Sequence, residues 1–120
     1  MKYDYRKQLR SFKYAFNGIK CCIGKEQNLS FHLIATAVVI TTGFILGISR
    51  MEWIIIILCI GLVIAAELVN SAIERLVDLI SPEQHPIAGR VKDIAAGAVL
   101  VCAIVAATVG ILIFFPYLFK

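Results

Sequence analysis

The chain has 120 residues, of which 60% are hydrophobic and 17% are charged, and its net charge is +4. Its mean hydropathy of +0.86 is too high for an ordinary soluble domain, so the composition predicts an integral membrane protein. The basic residues flank apolar stretches, which suits contact with anionic lipid head groups and excludes a nucleic-acid partner.

Residues 1–25 predict an amphipathic helix on the membrane surface. The apolar residues that recur at spacings of three and four, and so share one helix face, are Leu9, Phe12, Phe16, Ile19 and Ile23. Basic residues lie largely on the other faces, as in helices that lie in the membrane interface. A plain membrane anchor without any further role explains this segment equally well.

Three apolar stretches, at about 29–48, 51–80 and 91–117, each reach the roughly 20 residues that a bilayer span needs. A soluble helical bundle would alternate apolar and polar residues, and the third stretch shows little alternation. Pro82 and Pro86 are expected to end the second helix, so that the third opens within residues 89–93. The prediction is an all-α membrane protein with one domain, residues 1–120.

Basic residues predict the orientation of the spans. Seven lysines and arginines precede the first span, whereas the connector that follows it carries only Arg50. The connector after the second span carries Arg90 and Lys92. The positive-inside rule therefore places the N-terminus and this second connector in the cytoplasm.

The second span ends in a polar stripe, Glu67-Leu-Val-Asn70-Ser71-Ala-Ile-Glu74-Arg-Leu-Val-Asp78. At about 100° per residue, one side of the helix carries within an arc of roughly 100° the residues Glu67, Asn70, Ser71, Glu74 and Asp78. Charged groups in or beside a bilayer are costly and persist when they are paired, wet or functional. The stripe therefore indicates a site for a cation and for the anion that the cation brings.

Further polar residues are expected in the same layer near the cytoplasmic surface. Those that can converge there with the stripe are Glu26, Glu83, His85, Lys92 and Asp93. Carboxylate and amide oxygens suit Mg²⁺, Lys92 is suited to a phosphate, and a carboxylate can act as general base on a hydroxyl. These are the minimum parts for phosphoryl transfer at a membrane.

Each of these added residues also has a plain structural interpretation. Glu26 can cap a helix, Glu83 and His85 can be solvated loop residues, and Lys92 and Asp93 can be an interfacial anchor and a helix-start charge. His32 is interpreted as a polar contact near the membrane edge.

The stripe, the downstream Glu83-Gln-His85 and the run Lys92-Asp93-Ile-Ala-Ala-Gly-Ala-Val together resemble the prokaryotic diacylglycerol kinase family, which also includes undecaprenol kinases. The resemblance covers nearly the whole chain. It implies a homotrimer of three-span protomers with an N-terminal surface helix, in the inner (cytoplasmic) membrane of bacteria. It also implies transfer of the γ-phosphoryl group of MgATP to a lipid hydroxyl.

The resemblance also implies roles for individual residues. Glu67 corresponds to the general base, which Asn70 supports, and Glu26 and Glu74 correspond to the carboxylates that coordinate Mg²⁺. The positions that correspond to ATP contacts are Lys7, Tyr14, Glu26, Glu74, Glu83, Gln84, His85, Lys92 and Asp93. Those that correspond to contacts with the lipid substrate are Arg10, Glu67 and Ala96. Lys7 stands where the best-known members carry arginine, Gln84 where some carry tyrosine, and Ala96 where some carry serine.

Two other functions are compatible with a small membrane protein that carries polar residues along one face of a helix. The first is an oligomeric transporter with proton-coupling carboxylates, which requires a carboxylate near the middle of the bilayer. The second is a non-catalytic membrane adaptor, which leaves the stripe unexplained. For a kinase the acceptor stays open between undecaprenol and diacylglycerol, and the Glu26-Gln27-Asn28 run and the connector at residues 82–86 look more like the undecaprenol branch.

Overall fold

The computed structural model describes residues 2–119, so Met1 and Lys120 lie outside the described residues. These residues form four α-helices and no strand, which confirms the all-α prediction. The helices are α1 (Tyr5–Cys22), α2 (Gln27–Leu46), α3 (Arg50–Ile80) and α4 (Pro86–Leu118). The last three are long and apolar enough to cross a membrane, as the three predicted spans require.

The helix α1 is the predicted surface helix, with narrower bounds than residues 1–25. It begins after Asp4, whose carboxylate accepts hydrogen bonds from the backbone N–H groups of Arg6 and Lys7 at 3.0 and 3.2 Å. Its apolar residues Phe12 and Phe16 are exposed, because α1 makes few contacts with the other helices. The apolar face is therefore free to enter a lipid interface.

A tight hairpin joins α2 to α3. The helix α2 ends at Gly47, which adopts the left-handed conformation with a φ of +65° that favours glycine. Ser49 then caps α3 through a reciprocal pair of hydrogen bonds with Glu52. The first span therefore ends at Leu46, two residues before the predicted residue 48, because Gly47 and Ile48 belong to the hairpin turn.

The connector between α3 and α4 is shorter than the sequence predicts. The helix α4 begins at Pro86 and not near residue 91, because proline is favoured in the first turn of a helix, where its missing N–H group costs nothing. The side chain of His85 caps this turn, since its Nδ1 accepts a hydrogen bond from the backbone N–H of Ile87 at 3.1 Å. Pro86 therefore starts a helix where it was expected to prevent one.

The two ends of the bundle differ in character. At the hairpin end, near residues 47–49, an apolar cluster of Ile48, Ile56 and Ile113 holds α2, α3 and α4 together. At the opposite end, which we call the polar end, the start of α2, the end of α3 and the start of α4 meet. The buried polar residues lie toward this polar end.

Candidate active site

Little more than one turn of α3, from Glu67 to Ser71, carries polar side chains into the interior of the bundle. Glu67, Asn70 and Ser71 are 2%, 4% and 1% exposed, and they are the buried polar residues of the described chain. Buried polar groups are costly unless they are paired. The predicted stripe is therefore not a solvated helix face, since its first three members point inward.

The carboxylate of Glu67 pairs with a histidine from α2. His32 Nε2 lies 3.4 Å from Glu67 Oε1, and the two side chains are 17% and 3% exposed. The negative charges of Glu26 and Glu74 also act on Glu67. One buried and two partly exposed carboxylates thus lie close enough to repel one another, and this repulsion favours binding of a cation.

Glu26 connects the start of α2 to the stripe on α3. Its carboxylate accepts a hydrogen bond from Ser71 Oγ, and its Oε1 lies 3.4 Å from Arg75 Nη2. Arg75 Nη1 in turn lies 2.8 Å from the sulfur of Cys21, at the end of α1. The predicted convergence of Glu26 with the α3 stripe is therefore present in a single protomer.

Asn70 and Glu74 form a second pair on the same face. Asn70 Nδ2 donates a hydrogen bond to Glu74 Oε1 at 3.2 Å, whereas Asn70 Oδ1 is buried and has no hydrogen-bond partner within residues 2–119. An unpartnered buried oxygen costs about 1–3 kcal/mol, so this position is disfavoured unless something else binds the oxygen.

These oxygen atoms fit Mg²⁺ better than a softer metal. The described residues contain no group of three or more histidine, cysteine or acidic side chains placed to hold a metal. Mg²⁺ does not need such a group, because proteins usually bind it through one or two carboxylates while water and substrate phosphates complete its shell. The adjacent oxygens of Asn70 and Glu74 on α3, and the carboxylate of Glu26 beside Ser71, are ligands of the type that Mg²⁺ prefers.

A separate cavity of about 600 Å³ lies between the end of α3, the connector and the start of α4. Of the predicted nucleotide contacts, four lie together in its wall: Glu83, Gln84, His85 and Lys92. Lys92 Nζ is 2.5 Å from Asp78 Oδ1, so the cation that was expected to hold a phosphate is held here by the last acid of the stripe. The volume of this cavity suits a small-molecule ligand.

The remaining predicted residues are not brought to the buried acids in one protomer. Lys7, Arg10 and Tyr14 on α1 are exposed, and so are Asp93 and Ala96 on α4. Within residues 2–119 none of their side chains makes a hydrogen bond or an ion pair with the buried acids.

Three side chains that contact these acids were missed as site residues. His32 was interpreted as an edge contact, because nothing in its spacing from Glu26 places the two on one helix face. Ser71 and Arg75 stood in the stripe sequence without an assigned role. Their partners lie 35 to 54 residues away in the chain, so helical periodicity alone could not find them.

Comparison with known proteins shows the family of the chain. The family model described as prokaryotic diacylglycerol kinase matches residues 13–114. An undecaprenol kinase from Bacillus subtilis (strain 168) is 44% identical over 119 residues, which make up 96% of this chain and 97% of that protein. A diacylglycerol kinase from Haemophilus influenzae is 34% identical over 108 residues, or 88% of this chain and 92% of that protein.

A diacylglycerol kinase from Escherichia coli (strain K12) is 30% identical over 98 residues, which make up 82% of this chain and 80% of that protein. All of these relatives are lipid kinases by name, and the family model covers most of the helical bundle. The chain therefore belongs to the prokaryotic diacylglycerol kinase family and is a membrane lipid kinase.

Proposed function

We propose that this kinase transfers the γ-phosphoryl group of ATP, with Mg²⁺, to the hydroxyl group of undecaprenol. The observation that carries the proposal is Glu67, a carboxylate that is 2% exposed, paired with His32, and next to Asn70 with its unpartnered oxygen. Undecaprenol is preferred over diacylglycerol because the relative at 44% identity is named undecaprenol kinase. Neither a transporter nor an adaptor needs this arrangement.

In the proposed reaction Glu67 accepts the proton of the lipid hydroxyl as the hydroxyl oxygen forms its bond to the γ-phosphorus. The bond between that phosphorus and the bridging oxygen breaks, and ADP leaves with the electron pair. Glu26, Glu74 and the side-chain oxygen of Asn70 would hold Mg²⁺, which neutralises charge on the phosphate oxygens. Catalysis then depends mainly on the position of these groups.

The phosphates of ATP are proposed to bind beside Lys92, in the cavity under the connector. A phosphate there replaces Asp78 as the partner of the Lys92 ammonium group, because both are oxyanions that accept from the same donor. Glu83, Gln84 and Asp93 would contact the rest of the nucleotide. His85 already caps α4 through Nδ1, which leaves its Nε2 for this purpose.

The site is proposed to be completed in a homotrimer. Lys7 and Tyr14, which correspond to nucleotide contacts, and Arg10 and Ala96, which correspond to lipid contacts, are exposed in the protomer and separate from its own acids. A neighbouring copy can supply them. In the proposed orientation the polar end faces the cytoplasm, where ATP is present, and the spans lie in the inner membrane.

Phosphate transfer from radiolabelled ATP, with Mg²⁺, to undecaprenol and diacylglycerol offered in parallel to the purified protein in mixed micelles tests this proposal. Label mainly in undecaprenol supports it. Label mainly in diacylglycerol assigns the other acceptor, and label in neither lipid by folded protein contradicts the proposed reaction.

The variant Glu67→Gln tests the catalytic base. An amide cannot accept the hydroxyl proton, so we expect kcat to fall by about 10²–10⁴-fold while binding of MgATP is retained. Glu52→Gln is the matched control, since it makes the same change on the same helix at the hairpin end. Turnover of Glu67→Gln at the level of this control would contradict the assigned role.

A further inference from the structure

An apolar cavity of about 610 Å³ lies between α2, α3 and α4 and extends away from the buried acids. Its wall is formed mostly by alanine, valine, isoleucine and phenylalanine, and the three polar lining residues are His32, Thr36 and Cys59. The hydroxyl of Thr36 is already bonded to the backbone carbonyl of His32 at 2.8 Å. The imidazole of His32 is therefore the principal polar group that a ligand in this cavity would meet.

His32 belongs to this cavity and to the acidic cluster at once. Its ring lines the apolar space, while its Nε2 lies 3.4 Å from Glu67 Oε1. Within residues 2–119 no other side chain donates a hydrogen bond to Glu67. The distance is long for a hydrogen bond, as catalytic contacts often are before the substrate binds.

A buried glutamate needs such a donor to hold one conformation. Its side chain has three rotatable bonds, and the charges of Glu26 and Glu74 repel the carboxylate. A base works only when its oxygen lies within hydrogen-bond reach of the hydroxyl that it deprotonates. The contact with one oxygen of Glu67 leaves the other oxygen free to receive the hydroxyl.

We propose that His32 is the positioning residue for Glu67 and that the adjoining apolar cavity receives the hydrocarbon chain of the lipid acceptor. The hydroxyl then meets Glu67 where cavity and acidic cluster join. This inference rests on the proposed function, because it assumes that Glu67 deprotonates a lipid alcohol. It adds the residue that orients the base and the path by which the acceptor reaches it.

Three substitutions of His32 test the positioning role. Gln places an amide N–H close to the position of Nε2, Asn places it close to Nδ1, and Leu removes the donor. We expect His32→Leu and His32→Asn to lower kcat by about 10–100-fold with an unchanged KM for MgATP, and His32→Gln to recover most of the loss. Thr41→Val, an exposed change on the same helix, is the control.

A purely structural contact would give a different pattern. It would lower the melting temperature while leaving the kcat of the folded fraction unchanged. Wild-type kcat in His32→Leu, or a His32→Gln variant no more active than His32→Leu, overturns the positioning role.

Filling the cavity tests the path of the acceptor. Ala106 lines the cavity, whereas its neighbour Val105 does not. We expect Ala106→Phe to raise the KM for undecaprenol about tenfold or more without changing the KM for MgATP, and Val105→Phe to leave both unchanged. Equal KM values for undecaprenol in the two variants overturn the assignment of the cavity to the acceptor. An Ala106→Phe protein that loses its oligomeric state also overturns it, because the cavity is then filled by a neighbouring copy of the chain.

These results are separable from a failure of the proposed function. A wild-type protein that phosphorylates no lipid alcohol refutes the proposed reaction itself. An active wild-type protein with unaffected His32 and Ala106 variants refutes this inference alone.

Discussion

Asn70 is the residue at which the stability of the protein and its proposed function are opposed. Its Oδ1 is buried and without a hydrogen-bond partner within residues 2–119, although its Nδ2 binds Glu74. Removing a buried unpaired polar atom without leaving a void is neutral or stabilising. An asparagine retained at such a position is more useful for binding than for folding, which agrees with a place beside Mg²⁺.

The variant Asn70→Leu separates the two effects. Leucine has nearly the same shape, and it removes the unpaired oxygen together with the hydrogen bond to Glu74. These two effects oppose each other, so we expect the melting temperature to stay about the same. The concentration of Mg²⁺ needed for half-maximal phosphate transfer should increase about 10–100-fold, as for the loss of groups that orient a metal. Thermal unfolding in detergent and Mg²⁺ titrations of activity measure these two quantities.

Ser71→Ala is the matched control, because Ser71 is equally buried and also donates to a glutamate, Glu26, but carries no unpartnered oxygen. Its loss leaves the oxygen of Glu26 without a donor, so this variant should be less stable than wild type. An Asn70→Leu protein that is less stable than Ser71→Ala and has an unchanged Mg²⁺ requirement would contradict the interpretation of Asn70.

At the scale of residues, the sequence could identify the stripe but not its partners. Glu67, Asn70 and Glu74 share a helix face, so helical periodicity alone groups them. His32 and Arg75 act across helices, and their contacts depend on how α2 rotates against α3. Helical periodicity within one chain segment does not specify that rotation.

At the scale of elements, Gly43 fixes the approach of α2 to α3. A Cβ atom built on Gly43 would lie 2.7 Å from Cη2 and 2.9 Å from Cζ2 of Trp53, and 3.2 Å from Cδ1 of Ile48. The Trp53 ring also packs against Phe44 with its centroid 4.9 Å away, so it has little room to move. The small residue is therefore used for a contact within the protomer.

We therefore expect Gly43→Ala to destabilise the helix hairpin. Overpacking of this kind costs about 1–3 kcal/mol, which should appear as a lower melting temperature. Gly61→Ala on α3 is the control, because nothing lies within 4 Å of its Cβ position and alanine is the better helix former. Equal melting temperatures for the two variants would show that the Trp53 contact is not tight.

The extent of the helices was predictable in outline, and their ends were not. Long apolar runs identify α2, α3 and α4, because a run of about 20 apolar residues fits a spanning helix, which satisfies all its backbone hydrogen bonds within its own segment. The predicted start of α4 was wrong by five residues, since Pro86 fits a first helical turn as well as a loop.

The helix α3 is longer than a bilayer is thick. At about 1.5 Å per residue it is roughly 46 Å long, whereas a hydrocarbon core is about 30 Å thick. The end of the stripe therefore extends beyond the hydrocarbon core.

At the scale of the whole molecule, the chain is less compact than a single closed domain, which is compatible with the proposed homotrimer. Its radius of gyration is 18.0 Å, whereas a compact domain of this length has about 13–14 Å. Eight apolar residues of the described chain are buried, and most of the large apolar side chains are exposed. Lipid can cover some of this surface. Lipid cannot bring the charged side chains of α1 to the acids of the proposed site. A neighbouring protomer is therefore the expected source of these side chains.

Mixing of inactive variants tests whether the sites are shared. Glu67→Gln and Arg10→Ala each remove one group from every site in a homogeneous trimer. If Arg10 comes from a neighbour, one site in four of a randomly mixed trimer receives both intact groups, so activity should return to about a quarter of wild type. Unfolding the two proteins together and refolding them, followed by phosphate transfer to undecaprenol, measures this value.

The pair Glu67→Gln and Glu74→Gln provides the contrast, since both residues lie on the same α3 and serve the same site. Every site in that mixture that gains one carboxylate lacks the other, so no activity should return. If the Arg10→Ala mixture also stays inactive, each protomer must assemble its own site, and α1 must then move toward the buried acids when substrate binds. An exposed Arg10 is compatible both with a site shared between protomers and with a surface helix that moves. The two mixtures therefore distinguish these two explanations.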